Sequence, residues 1–388
     1  MKFLLFFFLM VYTTNSTVMK KHPADIYLPG SNNQVYSPFK LVIDPMDRLL
    51  LVNFEKDPDT VYMGFEPQVF DDDINGIGML IIGWRVDGRV DVYHQPGLQL
   101  DKSKYDIAGK GLAHMASRPM ADAYFRIGDK GIDMHIAFED LLGRKVKIEI
   151  HENHPNKRKP FGLLAPMGQA AERPSAMPLV LLHDFYFVRK KHTLINIQID
   201  NKSHTPDPLP LPLDWMSMYM TRYSPDPLIL TLNPAQNEPL EPIELQDTSR
   251  GYLKSNQYEF ARNEDKLEIA NINALHLLHQ VRMSFSPAFP QINMLKDGAD
   301  VSGKFILTGH PSTGKVTGEY HISKTGELIQ IRLAPTGGWQ PKEKKWSLKF
   351  LYTVAKIFKN WPKTYLWKGE VSPSEDMKMV SKWERLIE

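Results

Sequence analysis

The sequence predicts a mainly β protein built from two antiparallel meander or barrel domains, with one amphipathic helix near the C-terminus. Three observations predict it. Short segments of alternating or apolar character recur along the chain and are separated by glycine-containing turns. A single stretch, 343–361, repeats its apolar residues with a helical period. A proline-rich run at 205–245 interrupts the strand pattern near the middle. The 388 residues suffice for two or three domains.

In the N-terminal half, 35–43 and 49–54 read as the first strands. Segments 78–86 and 89–94 flank Asp87-Gly88, a strong hairpin signal. Segments 122–127 and 132–138 flank Gly128-Asp129-Lys130-Gly131 in the same way. Residues 144–150 read Arg-Lys-Val-Lys-Ile-Glu-Ile, which makes one wet and one buried face. Segments 179–188 and 193–199 complete a domain assigned to 18–204.

Residues 205–245 read as a packed connector, because Leu209, Leu211, Leu213, Trp215, Met216 and Met218 make them too apolar for a free linker. Strands resume at 258–262, 266–269, 274–285, 303–308, 315–322 and 327–333, within a second domain at 246–388. In 343–361, Trp346, Phe350, Val354, Ile357 and Trp361 share one arc, and Lys345, Lys349, Lys356 and Lys359 share the other. Pro362 ends the helix and 364–371 reads as a last strand.

Composition narrows the function classes. Forty-seven basic against 45 acidic residues gives a net charge of +2, so no nucleic-acid partner is expected. The absence of cysteine excludes disulfides, zinc–thiolate sites and a cysteine nucleophile. Residues 1–17, with Lys2, an apolar core and a small polar exit, read as a secretory signal peptide, which makes the protein extracytoplasmic. A start at Met19 would leave it cytoplasmic. No other apolar run approaches the length of a membrane-spanning helix. The lysine-rich helix offers a peripheral contact with an anionic membrane surface.

The familiar motifs fail on inspection. Gly309 to Lys315 has the skeleton of a phosphate loop, but Val316 stands where a magnesium-binding hydroxyl belongs and the context is strand–turn–strand. The His151/His154 and His276/His279 pairs lack a helical zinc signature, and three residues apart on a strand they face opposite ways. Asp71-Asp72-Asp73 misses the calcium-loop spacing. No metal and no cofactor is therefore assigned. The segment His183-Asp184-Phe185-Tyr186-Phe187 carries more. With His183, Phe185 and Phe187 on an inward face, an imidazole kept neutral by burial would suit a general base. Asp214, beside Trp215, Met216 and Met218, is the second candidate acid–base group in an adaptable apolar wall.

The order of strand meander, helix 343–361 and final strand 364–371, together with the hairpin series 78–151, resembles the double-lipocalin arrangement of the hydroxyneurosporene synthase family. The resemblance lies in outline and not in motif: Gly337-Gly338-Trp339 has the lipocalin Gly-x-Trp spacing but sits near the end of the chain. It implies binding of, or chemistry on, a long apolar isoprenoid-like or lipid-like molecule, and carries over no catalytic residue. The expected function is an exported binding protein for such a molecule, held in or between barrels. The alternatives are an isomerase, hydratase or cyclase acting in the same cavity through His183 or Asp214, and a carbohydrate or surface interaction module using exposed aromatics.

Overall fold

The computed structural model describes residues 21–386 apart from 45, 107, 158, 167–173, 211, 214, 277–278, 343–348, 350–351 and 353–359. The described chain is mainly β. Its first strands are Leu41–Asp44 (β1), Arg48–Asn53 (β2), Tyr62–Asp72 (β3), Gly76–Arg85 (β4), Val90–His94 (β5) and Leu112–Ser117 (β6). Tyr124–Gly128 (β7), Gly131–Glu139 (β8), Lys145–Glu152 (β9), Phe161–Pro166 (β10) and Met177–Arg189 (β11) follow. Next come Thr193–Ile199 (β12), Lys202–His204 (β13), Met218–Ser224 (β14) and Pro227–Leu232 (β15). The C-terminal series is Gln236–Pro239 (β16), Glu244–Leu245 (β17), Arg250–Leu253 (β18), Asn256–Asn263 (β19), Lys266–His276 (β20), His279–Phe289 (β21), Asp300–Thr308 (β22), Lys315–Thr325 (β23), Leu328–Gln340 (β24), Tyr365–Ser372 (β25) and Lys378–Arg385 (β26).

These strands form three sheets, curled and including a half-barrel. A ten-stranded sheet runs β1-β15-β11-β14-β2-β3-β4-β5-β6, with β10 also paired to β11. A five-stranded sheet runs β13-β12-β9-β8-β7. An eleven-stranded sheet runs β16-β26-β25-β24-β23-β22-β21-β20-β19-β18-β17. The ten-stranded sheet is the middle layer. On β4, Met79 and Ile81 join the core beneath the five-stranded sheet, whereas Leu80 and Ile82 join the larger core on the other side. On β2, Leu50 and Val52 face the first core and Leu49 the second. Burial on both faces explains the unbroken apolar runs of these strands, since alternation marks a sheet with one wet face.

The five-stranded sheet has such a wet face. Ile132, Met134, Ile136, Val146, Ile148 and Ile150 point inward. Outward, His151 pairs with Asp133 at 2.6 Å and His135 with Glu149 at 3.1 Å. Hydrogen bonds from Lys147, then Asn196 and His135, hold the Glu149 carboxyl down at about 2. The alternation expected for 144–150 is thus met by β9.

The N-terminal half departs from a simple meander. β14 and β15, which lie within the expected connector 205–245, return to the ten-stranded sheet, and β14 sits between β11 and β2. β5 and β6 pair in parallel, the one parallel pairing among the described residues. His114 on β6 holds this edge by bonding Asp91 on β5 at 2.9 Å, and Asp91 is buried and also bonded by Arg85 and the Tyr62 hydroxyl. β3 is not among the expected strands, and it carries Pro67, a residue that disfavours interior ladder positions. The single strand expected over 274–285 is instead parts of two antiparallel strands, β20 and β21.

The C-terminal sheet is a hairpin series from β17 to β26, with β16 added to β26. Its edge strands β16 and β17 are joined by residues 240–243. Five residue steps reach at most about 17 Å, so the sheet curls until its edges approach. Side chains from the chain between 21 and 40, among them His22, Tyr27, Val35 and Phe39, fill the interior. Phe39 is 1% exposed and packs on Phe285 at 5.3 Å, Phe289 at 4.7 Å and Trp367 at 5.6 Å. Tyr27 donates to Glu268 at 2.7 Å, and the Asn256 side chain bonds both the N–H and the carbonyl of Leu41. These side-chain partners replace a strand ladder, so of the strand expected over 35–43 only Leu41–Asp44 pairs in a sheet.

The expected leader, 1–17, lies outside the described residues. Most of the helix expected over 343–361 does too. Tyr352, within it, is buried against Trp339 with ring centroids 5.0 Å apart. Among the described residues no helix is long and apolar enough to cross a membrane.

Phe39→Ala is expected to destabilise the protein by about 3–5 kcal/mol, the cost of emptying a buried phenylalanine site. Phe39→Leu should cost far less. Urea unfolding midpoints check this, and equal midpoints for wild type and Phe39→Ala would show that Phe39 does not hold the half-barrel.

Candidate functional site

The registers place one continuous row of side chains across the inner face of the ten-stranded sheet, the face turned away from the five-stranded sheet. Phe187 on β11 pairs with Arg222 on β14, and Arg222 with Leu51 on β2. Leu51 stands opposite Glu66 on β3 by the register that pairs Leu49 with Gln68 and Val52 with Phe65. Glu66 pairs with Ile82 on β4, Ile82 with Val92 on β5, and Val92 with Met115 on β6.

A cover follows from the topology. Parallel β5 and β6 need a crossover, and residues 95–111 provide it. Leu98, Tyr105 and Ala108 from that crossover join the same core as Leu80 and Ile82. Lys104 pairs with Asp44, and the Ser175 hydroxyl donates to Asp106 at 3.0 Å, which fastens the crossover down. Leu51, Trp84, Leu112, Met115, Met216 and Met220 pack against this core while remaining partly exposed, so the face is open along its rim.

Glu66 is the anomaly in this row. It is 1% exposed and lies on the apolar face. Gln68 Nε2 donates to Oε1 at 2.8 Å and the Trp84 indole N–H donates to Oε2 at 3.2 Å. Among the described residues no cation forms an ion pair with it. Burial raises its carboxyl above the ordinary range, against weaker opposing effects from Gln68, Arg222 and Trp84. Burial favours the protonated form while the two donated hydrogen bonds favour the ionised one, burial being the larger effect, and carboxyls shifted in this way concentrate at functional sites. Arg222 is partly buried, donating from one terminal nitrogen to Asn53 Oδ1 at 2.7 Å and to the Met220 carbonyl at 3.1 Å. Burial lowers its pKa, with Glu66 and Glu55 pulling the other way. The crossover adds Tyr105, whose phenol is raised by burial and by nearby carboxylates including Glu66.

The residues anticipated from sequence are dispersed. Phe187 lies in the row, and Phe185, two positions along, is buried in the same core. Met216 lies at the open rim, and Met218 is buried opposite Arg189. Trp215 is wholly exposed in a left-handed conformation, φ 61°, and walls no cavity. Asp214 lies outside the described residues. His183 was expected to face an apolar interior. It stands instead 3.3 Å from the Asp226 carboxylate, with its ring 5.1 Å from that of His310. That places it where the turn at 309–314 meets β11, apart from the row.

Other candidates resolve as structure. Asp72 accepts from the Ile74 and Asn75 backbone and closes the β3–β4 turn. His310 caps the short turn that the phosphate-loop-like segment forms, accepting from Ser312. Among the described residues no group of three metal-ligating side chains converges. Beside Phe39, at the seam between β16 and β18, lies a cavity of about 50 Å³, room for water only. A cleft of about 590 Å³ opens around the β7–β8 turn and His151.

Sequence reasoning missed Glu66, Gln68, Trp84 and Arg222. The available signal was Glu66-Pro67-Gln68, polar residues two apart within a run of apolar ones, in a strand whose Pro67 disfavours interior ladder positions.

The neutral form of Glu66 is the one that the fold favours. The stability it contributes is complete below about pH 4, the ordinary carboxyl range, and is lost as pH rises through the elevated value. Glu66→Gln removes this dependence. Relative to wild type, the variant should therefore gain unfolding free energy as pH rises from 4 towards 8. Parallel curves over that range would show that the folded state holds Glu66 ionised.

The chain matches no protein-family model, no curated protein and no solved structure.

Proposed function

We propose that the inner face of the ten-stranded sheet, beneath the crossover 95–111, binds an apolar small molecule or lipid, with the neutral Glu66 carboxyl as its polar contact. The observation that carries this reading is Glu66 itself: a buried carboxyl on an apolar face, held by Gln68 and Trp84 and by no cation among the described residues. Burying such a group costs free energy that apolar packing does not return, and a hydrogen-bonded ligand accounts for its retention. The partly exposed rim supports it, since Met115, Met216 and Met220 are flexible thioethers that adapt to varied apolar shapes. The double-lipocalin resemblance points to the same ligand class.

The raised Glu66 carboxyl also favours a second reading, an isomerase, hydratase or cyclase in which Glu66 protonates the bound substrate.

Native mass spectrometry with lipid extraction, on protein purified from its own host, tests the first reading. A co-purifying apolar molecule is expected. Leu51→Trp, which fills the open face beside Arg222 and Glu66, should weaken its retention at least tenfold, while Tyr124→Ala on the outer sheet should not. A folded wild-type protein that carries and takes up no apolar molecule would overturn the reading. Glu66→Gln separates carrier from catalyst, because the amide keeps a hydrogen-bonding group and should lower retention only in part, whereas it should abolish any turnover.

A further inference from the structure

Arg222 sits on the apolar inner face with no carboxylate within ion-pairing distance among the described residues. Its hydrogen bonds go to two neutral oxygens, of Asn53 and Met220. The acids that influence it are Glu66, one strand beyond Leu51 in the row, and Glu55, which is exposed and bonded to the far side of Asn53. Two strand spacings, about 10 Å, separate the backbones of Arg222 and Glu66. That separation puts Glu66 outside ion-pairing distance of Arg222, so it is not a direct counter-charge. A guanidinium withdrawn from water without a carboxylate is costly, and its planar donors match a carboxylate in two parallel hydrogen bonds. Its neighbours in the row, Phe187 and Leu51, are apolar, so one positive charge borders an apolar surface.

We infer that the ligand of this face is an elongated amphipathic acid, whose carboxylate pairs with Arg222 while its apolar body extends past Leu51 towards Trp84 and Met115. A single guanidinium suits a monoanion. The partly exposed apolar side chains of this face, Leu51, Trp84, Leu112 and Met115, come from β2, β4 and β6 and form a strip that suits a long chain better than a compact ring. The two ionisable groups then divide the work: Arg222 receives the charge, and Glu66 meets a neutral part of the same molecule. The inference rests on the proposed inner-face site and adds the chemistry of its ligand.

The test compares oleic acid with oleyl alcohol, the same chain with and without the charge, by calorimetry and by quenching of tryptophan fluorescence on the full chain. Wild type should bind the acid about ten- to a hundredfold more tightly than the alcohol, the size of one charge-assisted contact. Arg222→Met should abolish that preference, and Arg222→Lys should keep part of it. Arg222→Gln, which retains donors for Asn53 and Met220, serves if the methionine variant does not fold. Equal binding of the two probes by wild type, or a preference that survives Arg222→Met, would overturn the assignment of the anion to Arg222 while leaving the inner-face site standing. Failure of both probes to bind would overturn the two together.

Discussion

Strands β2 to β5 carry apolar side chains on both faces, because the ten-stranded sheet lies between the five-stranded sheet and the larger core. That double burial is the constraint from which the other features follow. A strand in such a layer has no solvent side on which to place a polar residue, so each polar group must find a partner in the interior or serve a purpose. Asp91 finds three partners, in Tyr62, Arg85 and His114. Glu152 is matched by Arg189, with the two side chains 0% and 2% exposed. Glu66 has two neutral donors, as Glu268 has in Tyr27 and Asn263, and it differs from Glu268 in lying on the sheet face that is open along its rim.

The same constraint redistributes the space available for a ligand. The curled C-terminal sheet is the obvious container by shape, but the chain's own residues fill it. Phe39 enters among Phe285, Phe289 and Trp367, and Tyr27 and His22 bond the surrounding strands through Glu268 and Tyr320. Packing at interior density leaves room beside Phe39 for water alone. The partly exposed apolar surface lies in the other half, along Leu51, Trp84, Leu112 and Met115. There the parallel pairing of β5 and β6 obliges the chain to cross over the face that carries Glu66, so a topological feature of an edge strand supplies the cover of the candidate site.

Electrostatics within that site are asymmetric. Burial acts on both ionisable groups in the direction of neutrality, raising Glu66 and lowering Arg222. A carboxyl with an ordinary value near 4 is readily carried into its neutral form, whereas a guanidinium starts so high that it keeps its charge. One polar group of each kind, a carboxyl shifted towards its neutral form and a fixed cation, therefore faces the same apolar row. Had the two been adjacent they would have formed an ion pair and the face would be electrically closed. Leu51 stands between them.

The strand content, most hairpins and the wet face of β9 were legible in the sequence, because alternation and glycine turns are set by neighbours along the chain. Asp87-Gly88 and Gly128 to Gly131 turn where that chemistry requires, and β11 and β12 lie close to the segments that predict them. The candidate site was not legible. Arg222 and Glu66 are 156 positions apart, and only the return of β14 between β11 and β2 brings them into one row. His183, conspicuous in sequence among aromatics, met Asp226 and His310 instead, since the turn that packs on β11 comes from the other half of the chain. What the sequence determined by itself is local: period, turn and the sidedness of a strand. Which side of a strand faces a ligand, and which charges are left without a partner there, was decided by the order of strands in the sheet. That order is set by burying both faces of the middle layer at once, a condition on distant segments that no local pattern records.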